Sequence, residues 1–502
     1  MADAPWLSML LALPLVGALT TACVRRAPWA QRLALASAGL TLLCSLCIVA
    51  LFDSGDDGFQ FVEQAAWIPG LNVSYLVGVD GLSVLFLPAT ALLFTAAIVA
   101  GWRSQGNAEA AGVAPGVHFA LLFVLEAATL GVFCALDSLL FFFCWESTLA
   151  PIYFLVSLWG RGAGRQSAAV RYFLVMLAGG VPLLFGLLAA AFGQGGAGAP
   201  VFDLPSLLAT PLPEAVQMLV FLLLLVGFGV KVPLVSLHTW LPSIALGAPA
   251  AVTALLVGLK LGAYGLIRFA IPLAPLAARE LHWLLAGLGT LAMLYGSVAA
   301  LAQSNLRGVL AYASLAHVGL VLLGLASFSV SALQGALLQL LNFSLAAGGG
   351  FLILSFLQRR SGSTDAAQLG QLFGRWPLLS AFFLLFGLAG IGLPGTSGFP
   401  GELLIIVAAL HDHTGAGLAA LFATVVGAAA FLAPYRAAFF GSGSASAKAQ
   451  SESDPLADLL PRELAIALVF AALVLIVGVY PMPWLELLRP AAEAWVAGLA
   501  GL

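Results

Sequence analysis

Apolar stretches of about 20 residues, each long enough to cross roughly 30 Å of hydrocarbon as a helix, recur along the whole chain and are separated by short charged or Gly/Pro-rich links. The spans fall at 5–24, 31–52, 78–101, 116–136, 138–159, 169–192, 214–236, 249–271, 281–303, 306–326, 331–357, 376–408, 415–440 and 462–482. The pattern predicts an all-α polytopic membrane protein with about 14 transmembrane helices. The run from Pro5 to Val24 lacks a basic leader and is followed by Arg25 and Arg26. It is expected to be a first spanning helix rather than a cleaved signal peptide. Two spans carry helix breakers. The seventh contains Gly229-Val230-Lys231-Val232-Pro233, and the twelfth contains Gly392-Leu393-Pro394-Gly395 followed by Gly398-Phe399-Pro400-Gly401-Glu402. A break at membrane depth is tolerated only where protein or a water-filled cavity satisfies the freed backbone groups.

Composition agrees with the pattern. The 502 residues are 62% hydrophobic and 8% charged, against about 25% charged in soluble proteins, so a polar surface cannot be assembled and the lipid bilayer is the expected solvent. Lys and Arg concentrate in cytoplasmic loops. On the span count, 14 of them (Arg25, Arg26, Arg32, Arg103, Arg161, Arg165, Arg171, Arg307, Arg359, Arg360, Arg375, Arg436, Lys448 and Arg462) fall on one side and three (Arg268, Arg279 and Arg489) on the other. The opposite side holds the acidic loops with Asp53, Asp56, Asp57, Glu63, Asp203 and Glu214. Both termini are therefore expected on the non-cytoplasmic side. The 441–461 stretch reads as a flexible cytoplasmic loop, and 483–502, with Trp484 and Trp495, as an interfacial helix.

Cys44 and Cys47 form a CxxC, but it lies in the middle of an apolar helix with no second pair elsewhere, so small helix-facing residues are the simpler reading. No metal site, nucleotide loop, Fe–S spacing or haem-attachment motif is present. No cofactor is expected in this chain, and no nucleic-acid partner.

The broken spans sit in two consecutive five-helix units, spans 4–8 and 9–13. An odd helix number makes such repeats inverted, with a site at the midplane. The same 85-residue separation holds between Glu146 and Lys231 and between His317 and Glu402. The chain divides accordingly into N-terminal helices (1–115), a first repeat (116–271), a second repeat (281–440) and a C-terminal loop and helix (441–502).

Only three lysines occur, and two of them, Lys231 and Lys260, lie in spans. Each costs about 2.5–3.5 kcal/mol at a helix centre on insertion scales, so a function is expected of them. Glu146 in the fifth span and Glu126 in the fourth are their natural partners. A Glu–Lys pair in low dielectric lowers its cost by sharing charge, and a lysine held so can accept and release a proton. A fixed ion pair that only orients helices is the alternative. The series Glu146, Lys231, Lys260, His317 and Glu402 spans five different helices, which suits a proton relay better than one clamp, with His317 as middle station. Glu126 is a possible relay residue or contacts a neighbouring subunit. His238 either gates an entry path or satisfies a loop carbonyl. Arg268 and Asp137 are expected as interfacial anchors, and Asp80 is expected to cap or anchor the third helix from the acidic face.

These residues and their surroundings resemble a known family. Gly78-Val79-Asp80-Gly81-Leu82-Ser83, Phe143-Cys144-Trp145-Glu146, Lys231-Val232-Pro233 through Trp240-Leu241-Pro242, Lys260-Leu261-Gly262-Ala263-Tyr264-Gly265, Leu310-Ala311-Tyr312-Ala313-Ser314 through His317, and Leu393-Pro394-Gly395-Thr396 through Glu402 are together similar to the antiporter-like subunit M family of bacterial NADH:quinone oxidoreductase, respiratory complex I. That family is equivalent to subunit 4 of the mitochondrial enzyme and belongs to the proton-conducting membrane transporters. The resemblance covers nearly all of the chain. It implies two inverted five-helix repeats, a proton channel driven by quinone reduction elsewhere, and a translocase subunit without redox chemistry of its own. NADH, flavin, Fe–S clusters and quinone would belong to partner subunits, in a bacterial plasma (inner) membrane. By motif position Glu146 and Lys231 look like the coupling pair, Lys260 the central lysine, His317 a connecting histidine and Glu402 the terminal acidic residue.

The chain departs from the family where Ser243-Ile244-Ala245-Leu246-Gly247 replaces a polar stretch and Asn342 stands in place of a histidine. These changes leave open a subunit of a multi-subunit Na+/H+ antiporter or a membrane partner of an inorganic-carbon uptake complex.

Overall fold

A computed structural model of the chain describes residues 4–103, 113–194, 200–442 and 457–500. Among these, 11 helices are long and apolar enough to cross a membrane. Three shorter apolar helices, Trp6–Ala22, Phe86–Ala100 and Pro377–Gly390, accompany them. The protein is a mostly helical, multi-pass integral membrane protein. Most of the loop expected at 441–461, with Lys448, lies outside the described residues.

Burial sorts the helices. Over 18 apolar residues of each helix, 94% and 89% of positions are buried in Ala250–Leu273 and Val330–Ser361, against 33% and 28% in Ala27–Leu51 and Thr414–Phe440. The first two run through the centre of the bundle, and the others turn wide apolar faces outward. With lipid as solvent, close packing rather than water exclusion joins the helices. His282–Leu301 lies against Leu306–Ala326 at a crossing where a Cβ on Gly296 would fall on the Tyr312 carbonyl and the Ala316 backbone. Any larger residue there would separate the two helices.

Both expected breaks are present. Glu214–Lys231 ends at Lys231, five residues before the expected end at 236, and after a turn the chain resumes as the short helix Trp240–Gly247. Pro377–Gly390 and Gly398–Asp412 flank the second break. A third break was not expected. The eighth span stops at Gly258, Leu259 and Lys260 leave helical geometry, and the helix restarts at Leu261. Wider π turns follow at Leu266–Ala270 and Phe343–Ala347.

The third span is shorter than expected from the sequence. Residues 78–85 are not helical, and the helix starts at Phe86. Before it comes a two-stranded antiparallel ribbon, β1 (Gln60–Ile68) and β2 (Val73–Val79), where the sequence reading placed only an acidic loop. Glu63 on β1 accepts hydrogen bonds from the Leu7 N–H (2.7 Å) and the Ser8 N–H (3.1 Å), capping the first helix with an anion at its positive end.

Asp137 and Arg268 are not interfacial anchors. Asp137 is fully buried and accepts from the N–H groups of Leu139 (2.9 Å), Leu140 (3.0 Å) and Ser74 (3.0 Å), so it caps Ser138–Ser147 and ties it to β2. Arg268, on the first π turn, pairs through both terminal nitrogens with Asp80, one at 2.7 Å, and through Nε with the Tyr264 hydroxyl at 3.1 Å. Asp80 also accepts the Leu82 N–H at 3.0 Å, so it organises the turn before the third helix as well as holding the arginine. The C-terminal stretch is a helix, Met482–Ala500, that buries Leu488, Ala492 and Trp495. Trp495 Nε1 donates to the Ile267 carbonyl at 2.8 Å, satisfying a backbone group within the π turn.

Candidate functional site

The three breaks set where the polar groups lie. Lys231 is the last residue of its helix, so its ammonium lies at the negative end of the helix dipole. Its Nζ donates to Thr148 Oγ1 at 2.9 Å and lies 3.9 Å from the centre of the Trp145 ring. Thr148 itself sits at the joint between Ser138–Ser147 and Leu149–Trp159.

Glu146 and Lys231 interact electrostatically, yet among the described residues they form no direct ion pair. The lysine is held by the hydroxyl and the ring instead. Glu146 stands beside Gly180, where a Cβ would collide with its carboxylate.

Lys260 sits in the unexpected break. Its Nζ donates to Ser314 Oγ at 2.5 Å and lies 5.0 Å from the Phe343 ring centre. A small cavity of about 30 Å³ is lined by Lys231, Thr148 and Tyr172 and by Leu259 and Leu261, the neighbours of Lys260, though not by Lys260 itself. It has room for about one water.

A second cavity, of about 70 Å³, continues from Ser314 to His317, Asn342 and Glu402. That is room for a few waters among polar partners. His317 Nε2 lies 3.7 Å from Glu402 Oε1, and Gln339 Nε2 donates to the same oxygen at 3.4 Å. Asn342 accepts from Ser397 Oγ at 2.6 Å and faces the Ala389 carbonyl at 3.4 Å, so it satisfies backbone and hydroxyl at the second broken span. Gly392, with φ +69°, leaves the space that the Glu402 carboxylate occupies.

Of the five residues singled out in the sequence, Lys231 lines the first cavity and bonds Thr148, Lys260 bonds Ser314, and Ser314, His317 and Glu402 line the second cavity, whereas Glu146 lines neither. Sequence reasoning missed Thr148, Ser314 and Gln339. Their signal, polar residues on otherwise apolar helix faces, is weak because hydroxyls bond their own helix cheaply. Lys231 is partly buried and Lys260 buried, and among the described residues neither has a carboxylate within ion-pair distance; the direct hydrogen-bond partner of each is a neutral hydroxyl.

Glu126 stays apart. It is fully enclosed by this chain, so it does not contact a neighbouring subunit, and among the described residues neither oxygen has a hydrogen-bond partner. It is not paired with either lysine. His238 does not satisfy a loop carbonyl: its Nε2 meets the Tyr295 hydroxyl at 3.2 Å, beside Tyr312, and its Nδ1 is unpartnered among the described residues.

Comparison with known proteins agrees in family and fold. A family model described as NADH:quinone oxidoreductase/Mrp antiporter, TM, matches residues 135–427. NADH-quinone oxidoreductase subunit M of Rhodobacter capsulatus is 34% identical over 500 residues, 96% of this chain and 95% of the relative. In the structure of respiratory complex I from Thermus thermophilus with bound NADH, one chain superposes with a TM-score of 0.88 at 31% identity, covering 98% of this chain and 99% of that chain. A chain of the Mrp complex from Dietzia sp. gives a TM-score of 0.86 at 22% identity, covering 99% and 100%, a likeness of fold alone.

Proposed function

The chain belongs to the NADH:quinone oxidoreductase/Mrp antiporter membrane family, and from that premise we propose that it is a proton-translocating, antiporter-like membrane subunit of an NADH:quinone oxidoreductase. Protons pass along Glu146, Lys231, Lys260, His317 and Glu402, driven by quinone reduction in partner subunits. The observation that carries this reading is the pair of enclosed lysines held by hydroxyls at helix breaks, Lys231 by Thr148 and Lys260 by Ser314, with a cavity that reaches from Lys231 to the residues flanking Lys260. Neither lysine is clamped by a carboxylate, so each can release its proton without breaking an ion pair.

In this reading Glu146 and Lys231 form the coupling pair, Lys260 is the central station, His317 hands on to Glu402, and Thr148 and Ser314 hold the lysines in register. A change of charge on Glu146 acts on Lys231 through the protein. At a separation of about 8 Å and an effective dielectric near 20 the coupling is worth about 2 kcal/mol, roughly 30-fold in a protonation equilibrium. The two inverted repeats, 116–271 and 281–440, would place the stations near the midplane. The basic face would lie in the cytoplasm of a bacterium, with both termini across the inner membrane. NADH, flavin, Fe–S clusters and quinone would reside in the partners.

A second reading, a subunit of a multi-subunit Na+/H+ antiporter, is kept because the family model that matches residues 135–427 covers Mrp antiporters as well as NADH:quinone oxidoreductase. The two are separated in vesicles carrying the assembled complex. NADH-driven proton uptake that is lost in Lys260→Ala supports the first, and Na+-dependent exchange without NADH or quinone supports the second.

A further inference from the structure

Arg161 follows the helix Leu149–Trp159, and Arg171 lies on the second turn of Arg165–Gly193. With Ser167, Ser243 and Leu246 they line a cavity of about 350 Å³ at the basic end of the bundle. Arg171 Nη1 donates to Ser243 Oγ at 3.2 Å, and the Arg161 N–H donates to the Gly247 carbonyl at 2.8 Å, so both sides of the cavity are fixed to the helix Trp240–Gly247.

Behind it Arg307, 1% exposed, donates to the carbonyls of Leu246 (3.2 Å) and Ala248 and to Thr253 Oγ1 (3.2 Å). Every one of those partners is neutral. Arg161 and Arg307 repel one another. Among the described residues no carboxylate lies within ion-pair distance of Arg161, Arg171 or Arg307. Like charges gathered in this way favour an anion between them, and guanidinium groups suit phosphate in particular.

The surroundings of the cavity indicate what carries the anion. From its rim an apolar stripe runs down Arg165–Gly193 through Val170, Leu174, Leu177 and Val181, which are 43%, 57%, 46% and 52% exposed. Leu246 at the rim is 45% exposed. At 1.5 Å per residue, Val170 to Val181 covers about 16 Å, one leaflet of a hydrocarbon core of roughly 30 Å. A soluble anion would fill the cavity and leave the stripe bare, whereas a phospholipid occupies both. We propose that Arg161 and Arg171 bind the phosphate of an anionic phospholipid whose acyl chains lie along this stripe. The site is separate from the proton path and does not depend on that reading.

The test uses the full-length chain, purified and delipidated, titrated with phosphatidylglycerol and with phosphatidylcholine and read by native mass spectrometry. Phosphatidylglycerol is expected to bind at least about tenfold more tightly, and Arg161→Gln/Arg171→Gln to remove that preference, since one arginine near an anionic head group contributes about fivefold in affinity. Arg171→Lys keeps the preference in part, and Arg32→Gln, on the same face outside the cavity, keeps all of it. If the double variant does not purify, Arg171→Gln alone is expected to lose about fivefold. The proposal is overturned by equal affinity for the two lipids, by a preference unchanged in the arginine variants, or by full displacement with inorganic phosphate, which would mark a free-anion site. It is also overturned if the assembled complex retains no phosphatidylglycerol, because a partner's carboxylate would then hold the cavity.

Discussion

Lys260 Nζ donates to Ser314 Oγ at 2.5 Å from a point where the backbone of its own helix is broken, between Gly258 and Leu261. The break frees backbone groups beside the lysine, and the hydroxyl on Leu306–Ala326 fixes where its ammonium points. A hydrogen bond to a charged group contributes about 1.5–3 kcal/mol. Ser314→Ala should therefore slow proton uptake by at least about tenfold, while Ser314→Thr retains it. Stopped-flow dye measurements on vesicles containing the assembled complex decide this, and unaltered uptake in the alanine variant would remove Ser314 from the path.

Gly392 tests the second break. Its φ of +69° and the Glu402 carboxylate against it leave no room for a Cβ, and an L-residue held in left-handed geometry costs about 1–2 kcal/mol. Gly392→Ala is expected to shift Glu402 and reduce proton uptake several-fold with a modest fall in melting temperature. Wild-type uptake would show that the placement of Glu402 beside this turn is incidental.

Asp80 and Arg268 are a structural pair. Both side chains are more than nine-tenths buried, and removing one partner of such a pair costs about 3–5 kcal/mol because the other charge is left uncompensated. Asp80→Ala should lower thermal stability strongly, and Asp80→Leu/Arg268→Met should recover most of the loss. A single variant that melts like the wild type would contradict the assignment.

Glu126 is separated from the series, with no hydrogen bond to it among the described residues. Glu126→Gln, which keeps the shape and removes the charge, should leave proton uptake close to that of wild type, because Glu126 lines neither of the two cavities. A large loss would return Glu126 to the relay.

Much of this was legible in the sequence, because twenty-residue apolar runs and intramembrane charges are strong signals. Pro233 and the Gly392–Gly401 segment announced two breaks through residues that cannot continue a helix. The break at Lys260 carried no proline, and Gly258 and Gly262 beside it read like ordinary packing glycines. β1 and β2 were hidden for a different reason: in a chain this apolar, the alternation that marks a strand has little polar background to stand out from. The Asp80–Arg268 pair joins residues 188 positions apart, and no local pattern announces a contact of that range. The hydroxyls that hold the lysines were equally silent, since Thr148 and Ser314 acquire their role only from what faces them.

The central claim is that protons pass by way of Glu146 and Lys231. Its most direct test is NADH-driven proton uptake by vesicles carrying the assembled complex, with Lys231→Ala or Glu146→Ala in this chain and assembly checked separately. The relay predicts that both variants assemble and that proton uptake is abolished in each. Full assembly with undiminished uptake in both would contradict it.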